Sequence, residues 1–538
     1  MVEKLLARLQ NNPALAVLGL GGAAVLLLLV GVIGAFVVGG DDAKTGPTDN
    51  ANVAAGPAPT DSAGNTIPGT VDPTATVPGG GPVTGPGGTT KPGAKTGPGG
   101  TTGTTAKPGS TTNATLPSSP GATRVGVGEK FVKWDIHAPE TFGTLPVNFA
   151  EDPLKGTQIY IDYINKTLGG INGRTIDYKH FNDKYEVDGA KEAWNSIASD
   201  KPFFVSGTLG VDQVALVANE AKKAKIPYIA GGGSEALFKD IGMFQQASSY
   251  DTHLIQLAHF LAKESAKGAC STVPCSNDTS IYSGRKKVAV VALNTDYILN
   301  AVNVFKSELG KVGLQFGGVT TVLKPTDQTS YSKQIQDLKG FGAEIVVPAQ
   351  DPLTTSRIVA ECQTQGCAWR WTISDFAHES DVALTLMQQS KDPTSPSRPA
   401  WAGVRGLAGG CYYTVGGASE ANAANCGQLA KAHQQWVQIQ GGGSTGEDDY
   451  KKDGQGGVAG YQLVHIWVKA LADTGTDPTR EKFTAALNTY EGYSDLISGP
   501  ITYKGSSNLS HGATKMVVYE ADTSNAWHQL GPGFVDGF

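Results

Sequence analysis

Two short stretches carry the residue types needed to hold a small anion: "SGTLG" at 206–210 and "GGGSE" at 231–235. Each joins glycine, whose missing Cβ lets backbone N–H groups approach a ligand, to a hydroxyl side chain. Each also lies between a β-rich run and a helical pattern, where the N–H groups of a helix start favour negative charge. A ligand carboxylate would be held by Thr208, Ser234 and the amides near Gly210 and Gly232. The same hydroxyls suit plain helix N-caps, and the residues alone leave that choice open.

Covalent chemistry has no such signature. The chain contains no HExxH, no Walker A loop and no GxGxxG after a strand. His378 with Glu379 and Asp381 reads as a solvated helix face rather than a site. The six cysteines fall in three local pairs: Cys270 with Cys275, Cys362 with Cys367, and Cys411 with Cys426. Even number and local pairing in an exported chain predict three short-loop disulfides. Zinc would need a second pair or a His motif at ligand spacing, and neither occurs.

These candidates must be positioned by a folded body, and composition shows where it begins. At 538 residues the chain is too long for one core, so two or three domains are expected. The net charge of −6 leaves no basic surplus to neutralise phosphates, which excludes a nucleic-acid partner. Residues 14–38 form an uncharged apolar run, preceded by Lys4 and Arg8 and followed by Asp41 and Asp42. About 25 residues at ~1.5 Å rise span a hydrocarbon core of ~30 Å. The flanking charges predict a cytoplasmic stub at 1–13 and an exterior location for everything after the span. A cleaved signal peptide is the alternative, although the run exceeds the usual apolar length of roughly 7–15 residues. Residues 39–123 are Gly, Pro, Thr and Ala with sparse charge, a disordered tether with no apolar surface to bury.

From about Arg124 onward, β-rich runs alternate with amphipathic helical stretches. "TIDYKHFN", "FFVSGTLG" and "PYIAGGG" bracket helical patterns in a first half, with "RKKVAVVAL", "FGGVTTVL", "AEIVVPAQ" and "WRWTISD" in a second. Ile298, Val302, Phe305 and Leu309 share one helical face. Short glycine-marked joints between such elements indicate two doubly wound parallel units in series. In "INKTLGGINGRTIDYKHFND", Gly169 and Gly170 close a helix and Asn172–Gly173 turn the chain into a strand.

The stretch "DPLKGTQIYIDYINKTLGGINGRTIDYKHFND" resembles the start of type I periplasmic binding proteins of the branched-chain amino-acid group. "IPYIAGGGSEALF", "VAVVALNTDY", "TDQTSYSKQIQDLKGFGAEIVVPAQ" and "SGPITY" follow in the matching order, so the likeness spans about 124–528. The resemblance implies an α/β fold of two Rossmann-like lobes, each with a parallel sheet, joined by a three-crossover hinge. Lobe 1 would comprise 124–250 and 377–498, lobe 2 251–376 and 499–538, with crossings near 248–252, 374–377 and 498–501. It also implies that Tyr297 covers the ligand, that Asp351 and Asp375 meet a ligand ammonium, and that Thr208 and Ser234 hold its carboxylate. The group's usual Tyr-Gly is Tyr297-Ile298 here, and no tyrosine stands at the Asp351 position, so leucine or a close relative is not the expected ligand.

The expectation is therefore a membrane-tethered, extracytoplasmic solute-binding protein. It would take an amino acid or similar small polar molecule by lobe closure and pass it to an ABC-type permease, with no catalysis and no cofactor. The alternatives are a cell-envelope structural or adhesive protein, or a sensory one, that reuses the fold without transport. An extracellular hydrolase ranks last.

Overall fold

The computed structural model describes residues 124–535 apart from 145–149, 236, 238–242, 247, 373–390, 393–394, 409–428, 452–454, 494–499, 505–511, 514 and 524–526. The apolar run at 14–38, the tether at 39–123, Asp375, Cys411 and Cys426 lie outside the described residues, and so does the second crossing at 374–377.

The first lobe opens with β1 (Phe131–Ala138) and α1 (Glu151–Asp162), which continues into one π-helical turn at Tyr163–Thr167. Gly169 and Gly170 then take left-handed φ and end the helix. Asn172 (φ 50°) and Gly173 (φ 77°) make a two-residue turn between the bridged residues Ile171 and Arg174. Two positive φ values in succession are what a type I′ turn requires, so the Asn-Gly pair launches β2 (Thr175–Asn182) as expected. Next come α2 (Val187–Asp200), β3 (Phe204–Gly207), α3 (Val211–Lys223), β4 (Tyr228–Ala230) and the short β5 (Phe244–Gln245). All pairings are parallel, in the order β2-β1-β3-β4-β5.

The chain crosses at 246–249 into α4 (Tyr250–Ala266), whose N-cap Ser249 accepts from the Thr252 amide at 3.1 Å. The second lobe follows as β6 (Lys287–Leu293), α5 (Asp296–Lys311), β7 (Gln315–Val322), α6 (Ser332–Gly340), β8 (Ile345–Ala349), α7 (Pro352–Gln365) and β9 (Arg370–Trp371). Its sheet is also parallel, in the order β9-β8-β6-β7. Five of the seven residues of β6 are fully buried Val and Ala, which is what a strand covered on both faces selects.

β10 (Arg405–Ala408) precedes α8 (Leu429–Ile439), α9 (Gln455–Asp473) and α10 (Arg480–Leu487). α9 returns to the first lobe and lies against α1. A Cβ on Gly156 would sit 1.8 Å from the Gly457 carbonyl oxygen, so only glycine permits this approach. Trp467 of α9 meets Trp134 of β1 edge-on at 4.9 Å, deep in the core. β11 (Met516–Ala521) and β12 (Trp527–Val535) form an antiparallel sheet with β10. The guanidinium of Arg405, 1% exposed, is met by Glu520 at 2.5 Å and by Glu264 of α4 at 3.0 Å. It also donates to the carbonyls of Thr279, Cys275 and Ser276. Residues 405–408 therefore pack beside second-lobe elements, and not with the first lobe as the boundary at 377 anticipates. Sequence periodicity missed this because a four-residue strand has no legible period.

Among the described residues two disulfides are formed, Cys270–Cys275 and Cys362–Cys367. No helix among the described residues is long and apolar enough to cross a membrane.

Candidate ligand-binding site

In an open parallel sheet the ligand sites lie beyond the carboxyl ends of the strands. Here the exit loops of the two sheets meet. The β7 exit of the second lobe reaches the β2 exit of the first: Thr326 Oγ1 donates to Glu186 Oε1 at 2.9 Å. Tyr297, in the first turn of α5, packs on the second-lobe core and also on the first-lobe cluster of Ala190, Val205, Val214 and Leu237.

The β2 exit is the most constrained loop of the site. Lys184 and Tyr185 both adopt left-handed φ, 56° and 55°, which costs non-glycine residues about 1 kcal/mol or more each. Hydrogen bonds to neighbouring side chains hold the loop there. The Lys184 amide donates to Asn182 Oδ1 at 2.8 Å, and the Tyr185 amide to Asp183 Oδ1 at 3.0 Å. Asp183 Oδ2 lies 2.7 Å from His137 Nδ1, and His137 Nε2 lies 2.6 Å from the Tyr228 hydroxyl. A carboxylate oxygen accepts, so Nδ1 carries a proton, and Nε2 and the Tyr228 hydroxyl share the second hydrogen bond. Burial, and after it the charge of Asp183, pushes the Tyr228 phenol well above its ordinary range.

The loop presents Tyr185, 4% exposed, with its ring stacked on Phe142 at 4.5 Å. Lys324 of the β7 exit places its ammonium 5.7 Å from the centre of the same ring. Burial raises the Tyr185 phenol, and the next largest cause is the charge of Asp351 from the opposite lobe.

The predicted residues separate into two roles. Thr208 does not cap α3: its N-cap is Gly210, at φ 101°, with no side-chain cap, and the buried Thr208 Oγ1 has no hydrogen-bond partner among the described residues. A Cβ on Gly232 would make only ordinary contacts, with Tyr250 at 3.7 Å and Gln245 at 3.9 Å, so space does not demand glycine at that residue. Ser234, by contrast, accepts from the Leu237 amide at 3.3 Å as a helix cap. Asp351 caps α7, with Oδ1 taking the Thr354 amide at 2.8 Å and Oδ2 the Thr354 hydroxyl at 2.6 Å. Its carboxyl is raised, first by burial. Sequence reasoning missed Phe142, Tyr185, Glu186, Gln213 and Lys324. For Tyr185, Glu186 and Lys324 the available signal was their position just after strand ends, but loop residues show no periodicity, while Gln213 lies in the first turn of α3.

No group of three or more metal-ligating side chains occurs among the described residues. A groove of about 460 Å³ lined by Lys179, Phe181, Asn195, Ser196, Ser199 and Asp200 lies between β2 and α2, on the flank of the first lobe.

The periplasmic binding protein family model matches residues 146–526, well over half the chain. The chain belongs to the periplasmic binding protein family. Members of this family bind substrates outside the cytoplasm and are normally not enzymes. Solved structures agree on the fold. A leucine binding protein from Thermotoga maritima shares 14% identity at a TM-score of 0.55, over 75% of this chain and 99% of that one. A fatty acid ABC transporter substrate-binding protein from Thermomonospora curvata shares 20% at 0.56, over 77% and 94%. A solute binding protein of an ABC transporter from Rhodopseudomonas palustris, in complex with 3,4-dihydroxy benzoic acid, shares 17% at 0.54, over 76% and 98%. No curated protein sequence matches the chain significantly. The chain therefore shares the type I periplasmic binding protein fold of these structures.

Proposed function

We propose that the chain is a membrane-tethered, extracytoplasmic receptor that closes its two lobes on a small polar solute, an amino acid or another small carboxylate, and offers it to an ABC-type permease. One observation carries this reading: the exit segments meet at the lobe junction, and three of their buried polar atoms have no hydrogen-bond partner among the described residues, Thr208 Oγ1 and Gln213 Nε2 in the first lobe and Gln350 Oε1 in the second. Buried polar atoms of a native protein are nearly always paired, and a solute is what pairs them in a binding cleft. The apolar run at 14–38 supports the tether. Capture is non-covalent and calls for hinge closure alone.

A scaffold that keeps the fold without using the cleft is the second reading, favoured by the Phe142–Tyr185 stack that fills part of the junction. Native mass spectrometry of the freshly purified full chain in detergent separates the two. A retained small molecule, released on unfolding, supports capture; an empty protein that ignores every solute offered supports the scaffold. The intact mass also reports whether the apolar run is retained.

A further inference from the structure

The exit side of the first-lobe sheet meets the second lobe, while its entry side lies at the other end of the same parallel strands. The loops that lead into β2, β1, β3 and β4 stand side by side there, because those strands are neighbours in that order. These loops, 168–174, 124–130, 201–203 and 224–227, hold five basic residues, Arg124, Lys130, Arg174, Lys201 and Lys225, against one acid, Glu129. The chain as a whole has the opposite sign, at −6. Arg124 is drawn to Asp477, but Lys130, Lys201 and Lys225 are exposed and enter no ion pair among the described residues.

The backbone keeps two of these lysines against its own preference. Lys201 (φ 59°) follows α2 and Lys225 (φ 55°) closely follows α3, each in the left-handed conformation in which helices commonly end on glycine. Lysine is strained there and glycine is not. Buried Arg480 ties the two loops together by donating to the carbonyls of Pro202, Phe203 and Lys225 at 2.6, 2.9 and 3.2 Å.

Apolar side chains share this side. Among the described residues five large apolar side chains are exposed, and three of them, Val125, Phe131 and Leu168, belong to the entry loops or to the first residue of β1, each between 38% and 58% exposed. Ammonium groups set among exposed apolar side chains fit the boundary between headgroups and acyl chains of an anionic bilayer. The body is joined at Arg124, on this same side, to the 39–123 stretch and the apolar run at 14–38. A bilayer holding that run is therefore the surface that the entry side meets at the highest effective concentration.

Resting on the tether of the reading above but not on what the cleft binds, we propose that the entry side of the first lobe docks on an anionic lipid bilayer. The body then stands on its first lobe, with the lobe junction held off the surface by about 25 Å, the length of the eight-residue β1.

Fluorescence quenching on the full chain reconstituted in vesicles tests this, with the quencher carried on lipid headgroups. One dye sits on Glu129→Cys, in the entry loop of β1, and a control dye on Gln315→Cys, the exposed first residue of β7 in the second lobe. In vesicles of phosphatidylcholine with phosphatidylglycerol the first dye is quenched and the second is not; in phosphatidylcholine alone, or in high salt, neither is. Lys201→Gly with Lys225→Gly lowers the ratio of docked to free body about fivefold per lysine. Urea melts of that variant show no loss of stability, because relief of the left-handed strain offsets the freedom glycine gives the unfolded chain. Equal quenching of both dyes overturns the proposal, as does quenching of the first that persists in neutral lipid or in the glycine variant. A first dye shielded from water yet unquenched also overturns it, since a protein would then cover these loops. Where intact mass shows the apolar run removed, the same dyes are read on chain added to preformed vesicles, so a missing anchor is not mistaken for a missing contact.

Discussion

Asp183 grips His137 with one carboxylate oxygen, at 2.7 Å, and the backbone amide of Tyr185 with the other, at 3.0 Å. A single buried carboxylate thus couples the floor of the first-lobe sheet to the loop that faces the opposite lobe. Both partners of the ion-pair geometry are fully buried. Replacing His137 by Phe strands the carboxylate, and the expected loss is about 3–5 kcal/mol in urea unfolding. Tyr228→Phe deprives only Nε2 of its hydrogen-bond partner and should cost about 1–3 kcal/mol. Equal losses in the two variants would refute this ordering.

Asp135, on the same strand as His137, has both carboxylate oxygens buried without a hydrogen-bond partner among the described residues. Burial, then the charge of Asp200, pushes its carboxyl from 3.8 up to about 7, with Lys179 and Lys133 opposing. The fold therefore holds this proton more tightly than the unfolded chain does, and the group's contribution to stability falls as pH rises from about 4 to about 7. Asp135→Asn lacks that loss. Relative to the parent it should gain about 1–3 kcal/mol at pH 8 and much less at pH 5, read from urea melts at the two values.

The Thr326–Glu186 hydrogen bond joins the lobes directly. Thr326→Val removes the donor and should weaken the closed form by about 0.5–1.5 kcal/mol. Spin-label distances between the lobes report the population, and the affinity of whatever solute co-purifies should drop in the same proportion. An unchanged distance distribution would show that closure does not depend on this contact.

Cys362–Cys367 closes a very short loop. The chain-entropy relation gives about 2 kcal/mol for such a loop, so the Cys362→Ser, Cys367→Ser double variant should lose about that much. Peptide mapping without reduction should recover the pairs 270–275 and 362–367, and also 411–426, the pair expected from spacing alone.

The sequence made the scaffold legible because its elements are long and regularly spaced. The bounds of β2 coincide with "TIDYKHFN", and β6 occupies the apolar run "KVAVVAL". Glycine punctuation worked for the same reason, since Asn172–Gly173 sits in the only backbone geometry that turn allows. The site was harder. Asp351 and Ser234 lie where a ligand contact or a helix cap would stand, and both types of role use the same atoms. Tyr185 and Lys324 were invisible because their meeting joins residues about 140 positions apart in sequence, across two lobes. Arg405 escaped notice for a related reason: a buried guanidinium needs partners from several segments, and none of them is adjacent in sequence.

Lys324 stands on one lobe while Asp212 and Glu186 stand on the other, so part of what keeps the two halves together acts through space between partly hydrated charges. Dissolved ions weaken such attraction over a screening distance of about 8–10 Å at physiological strength. The hold of one lobe on the other should therefore loosen as the salt content of the medium rises and tighten as it falls.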